Sequence, residues 1–235
     1  LGFLDDIVNL RVRWKLPAQL ALGLMTAYYG FRIQVIDLPF LGVNTDIGYL
    51  SWPVTVLWIV VVINAVNLID GMDGLAGGIV ITSSAVLILI TFFNDDIAVA
   101  MLLMMVVGAT FGFWLFNRPP AVIFMGDSGS HLLGYLLAIL SLWATENPRN
   151  SQTLTPLLVL AVPLLDTMFA LFRRYLKGIP FYSADRDHLH HRLLNKGFSP
   201  GQTVWFMIGI SVIYGSLGAT MFFVPKLQGF AFLGV

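Results

Sequence analysis

The chain has 235 residues, of which 57% are hydrophobic and 11% charged, with 13 basic and 13 acidic side chains, zero net charge and no cysteine. An average soluble domain carries about 25% charged residues, and a series of apolar runs of bilayer-spanning length, about 20 residues each, excludes a soluble globular domain. Zero net charge gives no electrostatic hold on nucleic acid, and the absence of cysteine excludes disulfides, thiolate metal sites and sulfur redox chemistry.

In chain order, the sequence begins at Leu1 with no initiator Met and no signal-peptide pattern, so a start cut from a longer protein is expected. An inner loop at 1–16 precedes apolar segments at Pro17–Ile33, Leu50–Leu68, Leu75–Phe93, Ile97–Phe116, Ser130–Thr145, Leu154–Phe172 and Thr203–Val224. The run Leu227–Val235 reads as the start of a further span, also cut. Without repeats, heptads or low-complexity tracts, one domain covers residues 1–235. The expected fold is therefore all-α, a polytopic transmembrane helical bundle with about seven spans.

Basic residues in short loops favour the cytoplasm. With 1–16 inside, the turn 70–74 and the loops 117–128 and 173–202 are inside as well. They hold Arg11, Arg13, Lys15, Arg118, Arg173, Arg174, Lys177, Arg186, Arg192 and Lys196, against Arg32, Arg149 and Lys226 outside. The same layout gathers acidic clusters on the inner face.

Asp5 and Asp6 stand where a helix leaves the membrane, and adjacent carboxylates repel unless a cation compensates them. Arg11, Arg13 and Lys15 suit either a phosphate anchor or the positive-inside rule, and the topological reading is preferred. Next comes NAVNLIDGMDGLAGG, in which Asn67, Asp70 and Asp73 recur at helical spacing and exceed what a helix cap needs. Asn67 with a carboxylate suits magnesium, which takes a few protein oxygens and leaves the rest to water and phosphate. The glycines there allow close approach of phosphate or of another helix.

In FMGDSGS, Ser128 or Ser130 falls at a helix N-terminus, a ready anion site. Asp127 there repels phosphate unless it binds metal, so metal ligation is its expected role. Asp166, an ionisable residue inside an apolar segment, needs an internal partner, and Arg173 and Arg174 lie about two turns further on. In the inner loop, DHLHHRLL lacks the spaced ligands of a zinc centre; His188, His190, His191 and Arg192 suit contacts to sugar and phosphate oxygens. Asp185, Asp187 and Tyr182 belong to the same loop.

Together LGFLDD, NAVNLIDGMDGLAGG, FMGDSGS and DHLHHRLL, in this order across nearly the whole chain, resemble the polyprenyl-phosphate N-acetylhexosamine-1-phosphate transferases, glycosyltransferase family 4. The resemblance implies transfer of a sugar 1-phosphate from a UDP-N-acetylhexosamine to undecaprenyl phosphate, with release of UMP, at the start of cell-wall or surface-glycan synthesis. It implies Mg2+, or Mn2+ in its place, held by Asp127 and Asn67. Asp70 and Asp73 are expected to line the catalytic cleft and Asp5 and Asp6 to lie near the lipid phosphate. A lipid bilayer is the setting, specifically the bacterial cytoplasmic membrane with the site facing inward; a homodimer is compatible with this reading.

Within the family, DHLHHRLL looks more like the UDP-GlcNAc branch than phospho-MurNAc-pentapeptide transfer, whose His triplet is typically followed by Phe-Glu. Two further classes compete, an intramembrane prenyltransferase and a transporter. Only Asn67-Leu68-Ile69-Asp70 loosely resembles the Asp-rich motif of the former, and the acids sit at one face rather than at the midplane expected of the latter.

Overall fold

The computed structural model describes residues 2–8, 12–38, 43–145, 154–178 and 188–223. Helices α1 (Gly2–Val8) and α2 (Val12–Tyr28) precede a hairpin in which β1 (Val35–Leu38) pairs antiparallel with β2 (Val43–Asp46). A 3-10 turn at Gly48–Leu50 leads into α3 (Ser51–Ile69). There follow α4 (Leu75–Phe93), α5 (Ile97–Asn117), α6 (Gly126–Thr145), α7 (Leu154–Val159), α8 (Ala161–Leu176), α9 (Leu189–Asn195) and α10 (Pro200–Phe223). The molecule is an all-α polytopic membrane protein with one small hairpin, which the sequence pattern did not reveal.

Among the described residues, 5 helices are long and apolar enough to cross a membrane: Gly48–Ile69, Leu75–Phe93, Ile97–Asn117, Gly126–Thr145 and Pro200–Phe223. Two of the seven expected spans differ. The first begins earlier, at Val12, and stops at Tyr28, because Gly30 takes a left-handed φ of 101° and turns the chain into an extended stretch. The sixth is interrupted at Leu160. Pro163 has no N–H to give the carbonyl four residues back, that of Val159, and the Ser83 hydroxyl donates to this oxygen instead, at 3.0 Å.

Two expected inner loops are also shorter than 117–128 and 173–202: α6 begins at Gly126, α8 runs on to Leu176, and α9 and the start of α10 fold within the latter. Residues 1–16 hold α1 and the start of α2. The turn 70–74 stands as expected between α3 and α4. Asp185, Asp187, Tyr182 and the run Leu227–Val235 lie outside the described residues.

Helix α3 lies at the centre, packed by α2, α6 and α8. Its Ile59, Val62, Ile63, Ala65, Val66 and Ile69 are almost completely buried. Lipid is as apolar as these side chains, so burial alone does not drive helices together in a bilayer; close packing and interhelical hydrogen bonds do. Both occur between α3 and α6. The Trp58 indole N–H donates to the Ala138 carbonyl at 3.0 Å, and a Cβ at Gly134 would come to 2.8 Å from the Ile63 Cα. A Gly134→Leu substitution is expected to lower stability by about 1–3 kcal/mol, the usual range for overpacking; thermal unfolding in detergent measures it.

Helix α5 shows the complementary face. Val99, Leu103, Val106 and Thr110 are buried at helical spacing, while Met101, Met105, Phe111 and Phe116 are exposed, as lipid-facing side chains are. The start of α6, the end of α3, the turn into α4 and the start of α9 meet at one end of the bundle, and the acidic motifs meet with them.

Candidate active site

The N-terminus of α6 organises the first half of the site. Gly126 has a φ of 65°, and a Cβ there would lie 2.9 Å from Asp6 Oδ1, so glycine serves both the backbone turn and the room Asp6 needs. The Asp6 carboxylate accepts the Asp127 N–H at 2.8 Å, the Ser128 N–H at 3.0 Å and the Ser128 hydroxyl. The expected anion site at this helix start is thus filled by the protein's own carboxylate. The Ser128 hydroxyl bond, ahead of the two N–H bonds, holds the exposed Asp6 below the usual carboxylate range. Gly2 lets α1 lie directly on this turn, since a Cβ there would run into the Asp127 carbonyl.

Asp127 itself is at the centre of a charged cluster. Lys15 Nζ donates to Asp127 Oδ2 at 2.8 Å and also pairs with Asp5, which is 3% exposed. On the other side, Asn67 Nδ2 donates to Asp127 Oδ1 and to Ser130 Oγ, both at 2.9 Å. Asp5, Lys15, Asn67, Asp127 and Ser130 are therefore one hydrogen-bonded group drawn from α1, α2, α3 and α6. Lys15, read from sequence as a topological charge, sits between two carboxylates. Its signal was available in part, because the Asp5-Asp6 pair called for a nearby cation.

The second half is the turn after α3. Asp70 is partly buried, and burial, followed by the like charge of Asp127, pushes its carboxyl up to about 7. Asp73 faces elsewhere and accepts the Ala121 N–H at 3.0 Å. Gly74, with a φ of 75°, gives its N–H to Asn117 Oδ1 at 3.0 Å and receives the Trp114 indole N–H at 2.9 Å. The glycines of this motif therefore make room for a protein side chain: a Cβ at Gly77 would be 3.1 Å from the Trp114 ring. Trp114 and Asn117, which carried no sequence signal of their own, lock this turn to the end of α5.

The histidine motif reaches the same turn. His190 is 1% exposed, and its Nε2 lies 3.5 Å from where a Gly71 Cβ would stand. Its ring contacts His191 at 4.3 Å between centroids. Burial, then the neighbouring His191, pushes the His190 imidazole down to about 4, so it is neutral at pH 7. His188 is buried, and Arg192, at the exposed end of α9, belongs to the same segment. Asp166, for which Arg173 and Arg174 were the expected neighbours, bonds instead to His188 and to the Leu189 N–H.

Among the described residues, no group of three or more His, Cys, Asp or Glu side chains is assembled as a metal cluster. The arrangement offers instead a carboxylate pair bridged by a cation, hard oxygen donors on one side, and a partly protonated carboxyl one turn away. A profile of the family described as glycosyl transferase family 4 matches residues 1–145. The chain belongs to glycosyl transferase family 4.

Its relatives agree with the family. Over 91% of the chain it is 37% identical to a Bacillus subtilis (strain 168) protein named probable undecaprenyl-phosphate N-acetylglucosaminyl 1-phosphate transferase, 60% of which is covered. It is 32% identical, over 100% of the chain and 65% of the relative, to the decaprenyl-phosphate N-acetylglucosaminephosphotransferase of Mycobacterium leprae (strain TN). It is 27% identical, over 93% of the chain and 61% of the relative, to the undecaprenyl-phosphate alpha-N-acetylglucosaminyl 1-phosphate transferase of Escherichia coli (strain K12). The chain spans 60–65% of the length of these relatives. The apolar helices and these bacterial relatives make it a bacterial membrane protein.

Proposed function

We propose that the protein transfers GlcNAc-1-phosphate from UDP-GlcNAc to undecaprenyl phosphate and releases UMP, in the first membrane step of cell-wall or surface-glycan synthesis. The observation that carries this reading is the convergence of Asp5, Lys15, Asn67 and Asp127 at one end of an apolar bundle. A water-soluble nucleotide sugar and a membrane-held phosphate meet only at such an end. The names of the relatives supply the acceptor and the sugar. The balance of basic residues, Lys15, Arg118, Arg173, Arg174 and Arg192 among them, favours the cytoplasm for this end under the positive-inside rule.

Phosphoryl transfer asks a protein for charge neutralisation and alignment more than for covalent help. A lipid phosphate monoester, with a second pKa of about 6, is largely ionised at neutral pH, so no strong base is needed to create the nucleophile. In this reading Asp6 holds the first turn of α6 and Asp127 with it, while Lys15 offsets negative charge between Asp5 and Asp127. The histidines of α9 and Asp70 contact the nucleotide-sugar side.

A divalent cation fits here. The Lys15 ammonium already lies between the Asp5 and Asp127 carboxylates, and these oxygens are the hard donors magnesium or manganese prefers. Asp127 would hold the cation; Asn67, whose amide N–H donates to Asp127 in this conformer, would orient that carboxylate or turn its oxygen inward. When bound, the cation supplies neutralisation of the diphosphate.

Radiolabelled UDP-GlcNAc and undecaprenyl phosphate, given to the purified full-length protein, test the proposal. Label entering lipid with magnesium dependence supports it, and an absence of transfer by folded protein refutes it. The Asp70 carboxyl adds a pH prediction. Its folded value lies above the ordinary 3.8, so its charging opposes stability progressively from about 4 to about 7 and remains unfavourable above that. Activity that needs the carboxylate runs the other way: kcat/KM for UDP-GlcNAc is expected to rise through a limb centred near 7, and Asp70→Asn is expected to remove that limb.

A further inference from the structure

Asp166 is 3% exposed and sits in the first half of α8, among apolar residues, where a lone charge is expensive unless paired. Both of its oxygens are used on one short segment. Oδ2 lies 2.8 Å from His188 Nδ1, and Oδ1 accepts the Leu189 backbone N–H at 2.8 Å. The carboxylate thus grips both the side chain and the backbone at the start of α9. A carboxylate accepts and does not donate, so the pairing requires the His188 proton on Nδ1.

The grip extends along the histidines. The His188 and His190 rings are parallel, 5.8 Å apart with 4° between their planes, and His190 in turn packs over Gly71 of the turn that carries Asp70. Asp166 holds the imidazole row from a rigid helix against this turn. A packing role alone would not require the second oxygen to select one ring nitrogen of His188.

We infer that Asp166 is a positioning residue: it fixes the Nδ1–H tautomer of His188, leaving Nε2 for the substrate side, and sets the distance of the histidine motif from the Asp70–Gly74 turn. This rests on the transferase reading for its activity readout but not for its spectroscopic one. Selective 15N-histidine labelling of the full-length protein in detergent reports the imidazole nitrogens directly, with His188→Gln assigning the relevant signals.

In the unmodified protein His188 is expected to be protonated at Nδ1; an Nε2–H tautomer overturns the inference without any variant at Asp166 and whatever the protein's activity. In Asp166→Asn the amide group is expected to move the proton to Nε2 and to lower kcat about 10-fold or more with a smaller change in KM, as loss of tautomer control does. Asp166→Asn combined with His188→Gln is expected to be no less active than His188→Gln alone; losses that multiply independently contradict action through His188. Failure of the unmodified protein to transfer sugar phosphate would refute the proposed function, while the tautomer measurement would still decide the role of Asp166.

Discussion

Asp127→Asn in the full-length protein is expected to lower GlcNAc-1-phosphate transfer by about 10²- to 10³-fold, the scale of removing one preorganised group from a transition-state site. The substitution is nearly isosteric, and Asp6 still caps α6 through backbone N–H groups, so the fold is expected to persist. What is lost is the charge that Lys15 and Asn67 converge on. An amide also supplies a weaker hard-oxygen ligand than a carboxylate, so the remaining activity is expected to need a higher magnesium concentration. Label transfer measured across a magnesium titration checks both. Unchanged activity with unchanged magnesium dependence would remove Asp127 from the reacting centre.

Lys15→Gln is expected to have the second largest effect. It removes the positive charge from between Asp5 and Asp127, leaving two adjacent carboxylates of which Asp5 is 3% exposed. Truncating one partner of a buried ion pair costs about 3–5 kcal/mol, and solvent screening at the partly exposed Lys15 reduces this to about 2 kcal/mol of stability, seen as a lower thermal midpoint in detergent. Transfer is expected to fall by about 10²-fold. The pair acts as a unit, so Asp5→Asn added to Lys15→Gln is expected to restore part of the lost stability, because it removes the carboxylate left uncompensated. Additive destabilisation by the two substitutions would show that the contact contributes little.

Much of this architecture was legible because hydropathy reports the solvent. α4 coincides with the expected Leu75–Phe93, and α3, α5 and α10 agree to within a few residues. The acids were legible for a related reason: charges that a bilayer excludes must gather at its faces. Hydropathy says nothing of partners. Lys15 meets Asp127 across 112 positions of sequence, and Asn67 meets it across 60, distances over which no local spacing rule operates.

The break between α7 and α8 was hidden for the opposite reason. Pro163 marked a missing hydrogen bond, yet the segment's apolar character masked the interruption that Ser83 satisfies from α4. Similarly, GDSGS announced a helix start and an anion, but not that the anion is Asp6. Asp73 was grouped with Asp70 by spacing, whereas the turn sends it to the Ala121 N–H.

If the acidic end of this bundle transfers a sugar together with its phosphate, the nucleotide that leaves must be the monophosphate. Chromatography of the nucleotide released by the full-length protein from UDP-GlcNAc and undecaprenyl phosphate, beside mass analysis of the lipid, decides the matter. One UMP is expected for each lipid-linked GlcNAc diphosphate formed. Release of UDP, with a sugar joined to lipid through a single phosphate, would contradict the proposed transfer.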